Sequence, residues 1–79
     1  MPAVERLKNF GTVLRNKRRE KGFSQEALAE RLGMNSHSHI CRLESGQMFP
    51  TLEMVFKLAK ALEIKAWELI KLVEEKEQN

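Results

Sequence analysis

Residues 24–46 hold two short amphipathic segments joined through a glycine, and the second is polar on one whole side. The first reads Ser24-Gln25-Glu26-Ala27-Leu28-Ala29-Glu30-Arg31-Leu32-Gly33. The second reads Asn35-Ser36-His37-Ser38-His39-Ile40-Cys41-Arg42-Leu43-Glu44-Ser45-Gly46. Apolar residues recur at helical spacing in both, Ala27, Leu28 and Leu32 in one and Ile40 and Leu43 in the other, so the pair reads as helix, turn, helix. The second helix turns inward only through Ile40 and Leu43. His37, Ser38, Cys41 and Arg42 are left on the opposite side, a free polar face that suits the major groove of DNA.

The flanking residues extend the helical pattern in both directions, and no alternating run of strand length occurs anywhere in the chain. A first helix is predicted from about Val4 to Lys21. Val4, Leu7, Phe10, Leu14 and Arg18 fall three or four apart and share a face. Gly11 inside that helix costs about 1 kcal/mol relative to alanine, which points to a close approach of another helix there. Gly22 ends the helix and Phe23 turns into the core. Ser24 caps the second helix, Glu26 suits its dipole and Gly33 closes it. Asn35 or Ser36 is expected to cap the third, and Gly46 to end it. Pro50 and Thr51 open the fourth, with Leu52, Val55, Phe56, Leu58, Ala59 and Leu62 as a broad apolar face. A fifth helix is expected over about 65–75, before a charged tail, Glu74 to Asn79, that frays. Met34, Met48 and Met54 read as packing residues, although Met48 and Phe49 precede Pro50 in a loop that can reach the surface.

These elements make one domain of 79 residues, with its core over 10–62. A chain this short has little stability to spare, so a partner subunit helps. The single cysteine, Cys41, allows no internal disulfide and suits a reducing, cytoplasmic setting. Residues 1–9 mix charges without the apolar run of a signal peptide. No stretch nears the roughly 20 apolar residues that cross a bilayer, so no membrane partner is expected. The net charge of +3 is unevenly spread: residues 1–46 carry nine Lys/Arg against five Glu, and residues 47–79 five Lys against six Glu. Arg15, Lys17, Arg18, Arg19 and Lys21 crowd one segment. That asymmetry favours a polyanion such as duplex DNA on one side of the molecule; a solvated helix surface is the plainer reading of the same charges.

Phe10-Gly11-x-x-Leu14-Arg15-x-x-Arg18-x-x-x-Gly22-Phe23-Ser24-Gln25-x-x-Leu28-Ala29 resembles the opening of the lambda-repressor-like (Cro/C1, or Xre) helix-turn-helix family. The likeness continues through Ile40-x-Arg42-Leu43-Glu44-x-Gly46, Pro50-Thr51-Leu52 and Leu58-Ala59-Lys60-Ala61-Leu62. The family resemblance implies an all-α, five-helix DNA-binding domain, usually a homodimer on a palindromic double-stranded DNA operator. By position it implies that Ser36, His37, Ser38 and Arg42 meet base edges, and that Gln25, Ser45, Gly46 and Gln47 meet phosphates, partly through backbone N–H groups. It implies a buried salt bridge between Arg18 and Glu44. Two departures stand out. The stretch from Gly33 to Gly46 is one residue longer than the family pattern, around Met34-Asn35-Ser36. Glu63 stands where the family often has a left-handed glycine.

Other readings are weaker. His37, His39 and Cys41 suggest a metal site, but only His37 and Cys41 share a helix face, so no metal and no cofactor is expected. Cys41 as an oxidation sensor beside DNA competes with a small helix residue of no such role. The fifth helix, with Trp67, Leu69, Ile70, Leu72 and Val73, is apolar on more than one side. Trp67, Ile70 and Val73 are therefore expected in a dimer interface. No nucleophile with its base, paired-carboxylate cleft or phosphate-cradling loop is present, so an enzyme is not expected. The expected function is a transcriptional regulator: a repressor, or a controller protein of a restriction–modification system, which this length and layout resemble. The alternatives are an antitoxin, whose fifth helix or tail grips a toxin partner, and a protein-interaction module that does not bind DNA.

Overall fold

Five helices follow one another in the computed structural model, which describes residues 3–78. They are α1 (Ala3–Glu20), α2 (Gln25–Arg31), α3 (Ser38–Glu44), α4 (Leu52–Ala61) and α5 (Ala66–Glu77), with no strand among the described residues. Met1, Pro2 and Asn79 lie outside that range. The caps of α2 and α4 fall where the sequence places them. Ser24 Oγ accepts from the Ala27 N–H at 3.0 Å, and Thr51 Oγ1 accepts from the Met54 N–H at 3.1 Å. Each occupies a donor that the first turn of a helix cannot satisfy internally.

The long helix α1 packs on α3 and α5, while α2 packs on α3 and α4 on α5. Leu14, Leu28, Ile40, Leu43, Leu58, Leu62 and Leu69 are completely enclosed between them. Each such side chain contributes about 1.5–3 kcal/mol of burial, most of which the loss of chain entropy offsets. The expected inward stripe of α1 holds at Phe10, Leu14 and Arg18, and Val13 joins it. Val4 does not belong to it. It is exposed at the start of α1, ahead of the residues that meet the core.

Gly11 sits where α1 crosses the end of α3. A Cβ there would lie 2.4 Å from the Glu44 carbonyl oxygen and 2.7 Å from that of Leu43. Backbone meets backbone, which fixes the height of α3 above α1. Glu63 adopts φ 61°, a left-handed conformation costing an L-residue roughly 1–2 kcal/mol. In return its N–H reaches the Lys60 carbonyl at 3.1 Å, and the Ile64 N–H reaches that of Ala59 at 3.0 Å. The end of α4 is thus closed as a glycine would close it.

Two boundaries differ from expectation. Helix α5 runs on to Glu77, where an Arg6–Glu77 ion pair joins the last turn of α5 to the start of α1. Neither Asn35 nor Ser36 caps α3. Ser36 Oγ accepts from the Ser38 N–H at 3.1 Å and donates to Ser38 Oγ at 3.0 Å. This local loop leaves His37 at the cap position without a side-chain hydrogen bond and delays the helix to Ser38. The connection between α2 and α3 therefore spans residues 32–37, which include Met34, Asn35 and Ser36.

Candidate nucleic-acid interface

Helix α3 is held from below by Ile40 and Leu43, neither of which reaches solvent. Its outward side is polar: Ser38, Cys41, Arg42 and Ser45 are exposed, and Ser36, His37 and Gln47 are exposed in the segments flanking it. Ser36 and His37 precede α3 rather than forming its first turn, so only Ser38 and Arg42 of the four expected base-contacting residues are carried by the helix itself. Cys41 is exposed beside Arg42. Among the described residues no three His, Cys, Asp or Glu side chains gather as a metal site would need.

The end of α3 is braced through Glu44. Its buried carboxylate takes two hydrogen bonds from Arg18, Nε to Oε2 at 2.6 Å and Nη2 to Oε1 at 3.0 Å. Arg18 Nη1 donates to the Phe23 carbonyl at 2.8 Å. The guanidinium is thus satisfied on three sides, as a buried ion must be. Gln25 Nε2 donates to Glu44 Oε1 at 3.1 Å, and Arg15 Nε lies 3.4 Å from the same oxygen. Burial alone would push the Glu44 carboxyl up. The hydrogen bonds from Arg18 and Gln25, the Arg18 charge and the Arg15 contact outweigh it and hold the group below the ordinary glutamate range.

The expected phosphate-contacting residues fare unequally. Gln25 is half-buried at the start of α2 with its amide already oriented by Glu44. The N–H groups of Ser45, Gly46 and Gln47 are occupied by the carbonyls of Cys41, Leu43 and Arg42. For these three residues the backbone part of the expectation is corrected: their N–H groups close the end of α3. Gly46 offers no side chain instead. Its φ of 76° reverses the chain beside Lys8. Ser45 and Gln47 keep exposed side chains, although Ser45 Oγ also donates to the Arg42 carbonyl at 3.2 Å.

On a second face, α4 and α5 leave an apolar groove. Leu52, Phe56 and Trp67 are 71%, 58% and 62% exposed, and Ile70 is 43% exposed; all four line it with Val55 and Ala59 at its floor. Phe49 extends the patch past Leu52. Of the broad apolar face expected on α4, Val55, Leu58, Ala59 and Leu62 are buried, whereas Leu52 and Phe56 turn away from the core. The broad apolar face of α4 is wider than one core stripe, which is the signal that separates them. Val73 is corrected in the opposite sense. At 6% exposure it belongs to the core, because the side of α5 that carries it and Leu69 rests on the body of the domain.

No helix among the described residues is long and apolar enough to cross a membrane. A short helix presented polar side outward, packed behind α2 on a frame of four others, is the arrangement of a helix-turn-helix domain. Known proteins agree. The helix-turn-helix family HTH_3 matches residues 14–66, and the chain belongs to this family of DNA-binding transcriptional regulators. It is 41% identical over 51 residues to an uncharacterized HTH-type transcriptional regulator of Methanothermobacter thermautotrophicus, covering 65% of this chain and 72% of the relative. It is 35% identical over 67 residues to the uncharacterized HTH-type transcriptional regulator y4dJ of Sinorhizobium fredii, covering 85% and 86%. Among solved structures, the restriction-modification controller protein C.AhdI from Aeromonas hydrophila superposes with a TM-score of 0.75 at 43% identity. That match covers 80% of this chain and 94% of the controller protein.

Proposed function

We infer that this protein is a sequence-specific regulator that binds a palindromic operator as a homodimer in the cytoplasm, in the manner of a restriction–modification controller or a small repressor. The observation that carries the reading is the pinning of α3. Its inner side is locked by Ile40, Leu43, Gly11 and Glu44, while its outer side is polar and, among the described residues, holds no side-chain partner for Arg42. The likeness to the controller protein over 94% of that chain supports the specific role.

Arg42 is the residue assigned to a base edge, since a guanidinium can grip guanine O6 and N7 together. Ser36, His37 and Ser38 approach bases or the adjacent backbone from the start of α3, and Gln25, Ser45 and Gln47 approach phosphates with their side chains. Arg42→Ala should weaken binding to the preferred duplex by about 1–3 kcal/mol and relax base choice at one position per half-site. A competition titration against single-base variants of the duplex checks this. An equal loss on every sequence would make Arg42 a phosphate contact only.

The dimer face is assigned to the groove between α4 and α5, through Trp67 and Ile70 with Leu52 and Phe56. Such a contiguous exposed apolar patch is unusual on a monomer. Ile70→Asp should leave the fold intact, because the side chain is exposed, and weaken dimerisation at least tenfold, or about 1.4 kcal/mol. Sedimentation at micromolar concentration reads this directly, and an Asp variant that stays dimeric would place the interface elsewhere. The same groove would serve an antitoxin's partner. A stoichiometric second protein recovered on co-expression with the neighbouring reading frame would favour that reading.

A further inference from the structure

Glu44 gathers more positive charge than it needs. Arg18 alone satisfies it through two hydrogen bonds and is itself buried. Arg15, one turn earlier on α1, also sets its Nε 3.4 Å from Glu44 Oε1, yet its side chain is 42% exposed. Gln25 Nε2 reaches that same oxygen at 3.1 Å. One carboxylate oxygen therefore holds an arginine from α1 and a carboxamide from α2 next to each other at the surface.

The chemistry of each partner decides what this pair can take. An ionised carboxylate only accepts, so Glu44 fixes the Gln25 amide with its NH2 group towards the brace, leaving a second N–H on that nitrogen. The Arg15 contact is longer than a normal N–H···O bond, and the Nη groups of Arg15 make no hydrogen bond among the described residues. Two guanidinium groups face the Glu44 carboxylate, with Glu26 a further negative charge near Arg18, and of the two arginines only Arg15 reaches solvent to a large extent. Guanidinium groups match phosphate oxygens in geometry as well as charge. The cluster also sits at the C-terminal end of α3, the helix that carries Arg42.

We propose that Arg15 and Gln25 together form a subsite for one DNA backbone phosphate, with Glu44 acting as the positioning residue that presets both. The inference rests on the DNA-binding reading above and adds a contact from α1. The Glu44 brace thereby does more than hold α3 in place. It orders two phosphate ligands before DNA arrives, so less freedom is lost on binding.

The test uses the full chain and a duplex enriched by the wild-type protein from a randomised pool. Affinity is measured against salt concentration for wild type, Arg15→Gln and Arg15→Lys, with thermal unfolding of each. Arg15→Gln should lower the salt exponent of the dimer by about 1.8, the share of one phosphate per protomer. It should also weaken binding roughly tenfold on enriched and scrambled duplexes alike, as loss of a phosphate contact does. Arg15→Lys should keep the exponent, and both variants should unfold near the wild-type temperature. Gln25→Ala should cost less in the Arg15→Gln background than in wild type, because both residues serve one phosphate. An unchanged exponent in Arg15→Gln, or full additivity with Gln25→Ala, overturns the subsite while leaving DNA binding in place. A wild-type protein with no salt-dependent duplex binding would overturn the DNA reading and the subsite together.

Discussion

Glu44→Ala should lower the stability of this domain by about 3–5 kcal/mol, because it strands the buried Arg18 guanidinium without its counter-ion. Only the Phe23 carbonyl would remain as a close partner for that arginine. A domain of this size holds on the order of 4–12 kcal/mol in total, so the variant should be partly unfolded well below the wild-type midpoint. Arg18→Met should cost less than Glu44→Ala, since Glu44 would still have Gln25 and Arg15 on Oε1. The double replacement Arg18→Met with Glu44→Leu should recover most of the loss, as it removes both buried charges. Urea denaturation of the four proteins measures all of these.

Acid supplies an independent check of the same brace. The Glu44 carboxyl titrates below its ordinary range in the folded protein, so its contribution is complete above the unfolded value of about 4.3. It is lost as pH falls through the lower folded value. Wild-type stability should therefore drop on acidification below roughly pH 4, and the Met/Leu double variant should lack that component.

Gly11→Ala should also destabilise, by about 2–3 kcal/mol, which for a domain of this length lowers the midpoint on the order of 10–20 °C. The sign separates two causes. In an exposed helix, glycine to alanine gains about 1 kcal/mol of helix propensity. Here the new methyl would meet the Glu44 and Leu43 carbonyl oxygens at 2.4 and 2.7 Å. These are backbone atoms that cannot rotate aside, so α1 and α3 must separate. The displaced α3 would carry Arg42 and Glu44 with it, and DNA affinity should fall along with stability. A variant as stable as wild type would show that the two helices do not pack at this distance.

What was legible in the sequence was local. Ser24 and Thr51 cap their helices within three residues of the donors they satisfy, and Ile40 and Leu43 lie one turn apart. Gly11 in mid-helix signals close packing by the very cost it carries. The start of α3 was ambiguous because Asn35, Ser36 and Ser38 are all good capping residues in one short run. A hydrogen bond from the Ser38 backbone N–H to the Ser36 hydroxyl settled it. Which apolar residues of α4 and α5 face inward was set by packing between helices, so Leu52 and Phe56 turned outward and Val73 inward. Arg18 and Glu44 are 26 positions apart. No periodicity links them, and only the family resemblance pointed to the pair. The place of Arg15 at the same carboxylate had a faint signal, its spacing of three from Arg18, which puts both on one side of α1.

The most direct measurement is enrichment of duplexes from a randomised pool by the wild-type protein, followed by affinity for the enriched and a scrambled duplex at several salt concentrations. A regulator that reads DNA through α3 as a dimer should enrich an inverted repeat whose half-sites are centred about one helical turn, roughly 34 Å, apart. It should bind that repeat at least about a thousandfold more tightly than the scrambled duplex, and both should weaken steeply with salt. Recovery of no common sequence, with equal and salt-insensitive affinity for both duplexes, would contradict the assignment of α3 as a recognition helix.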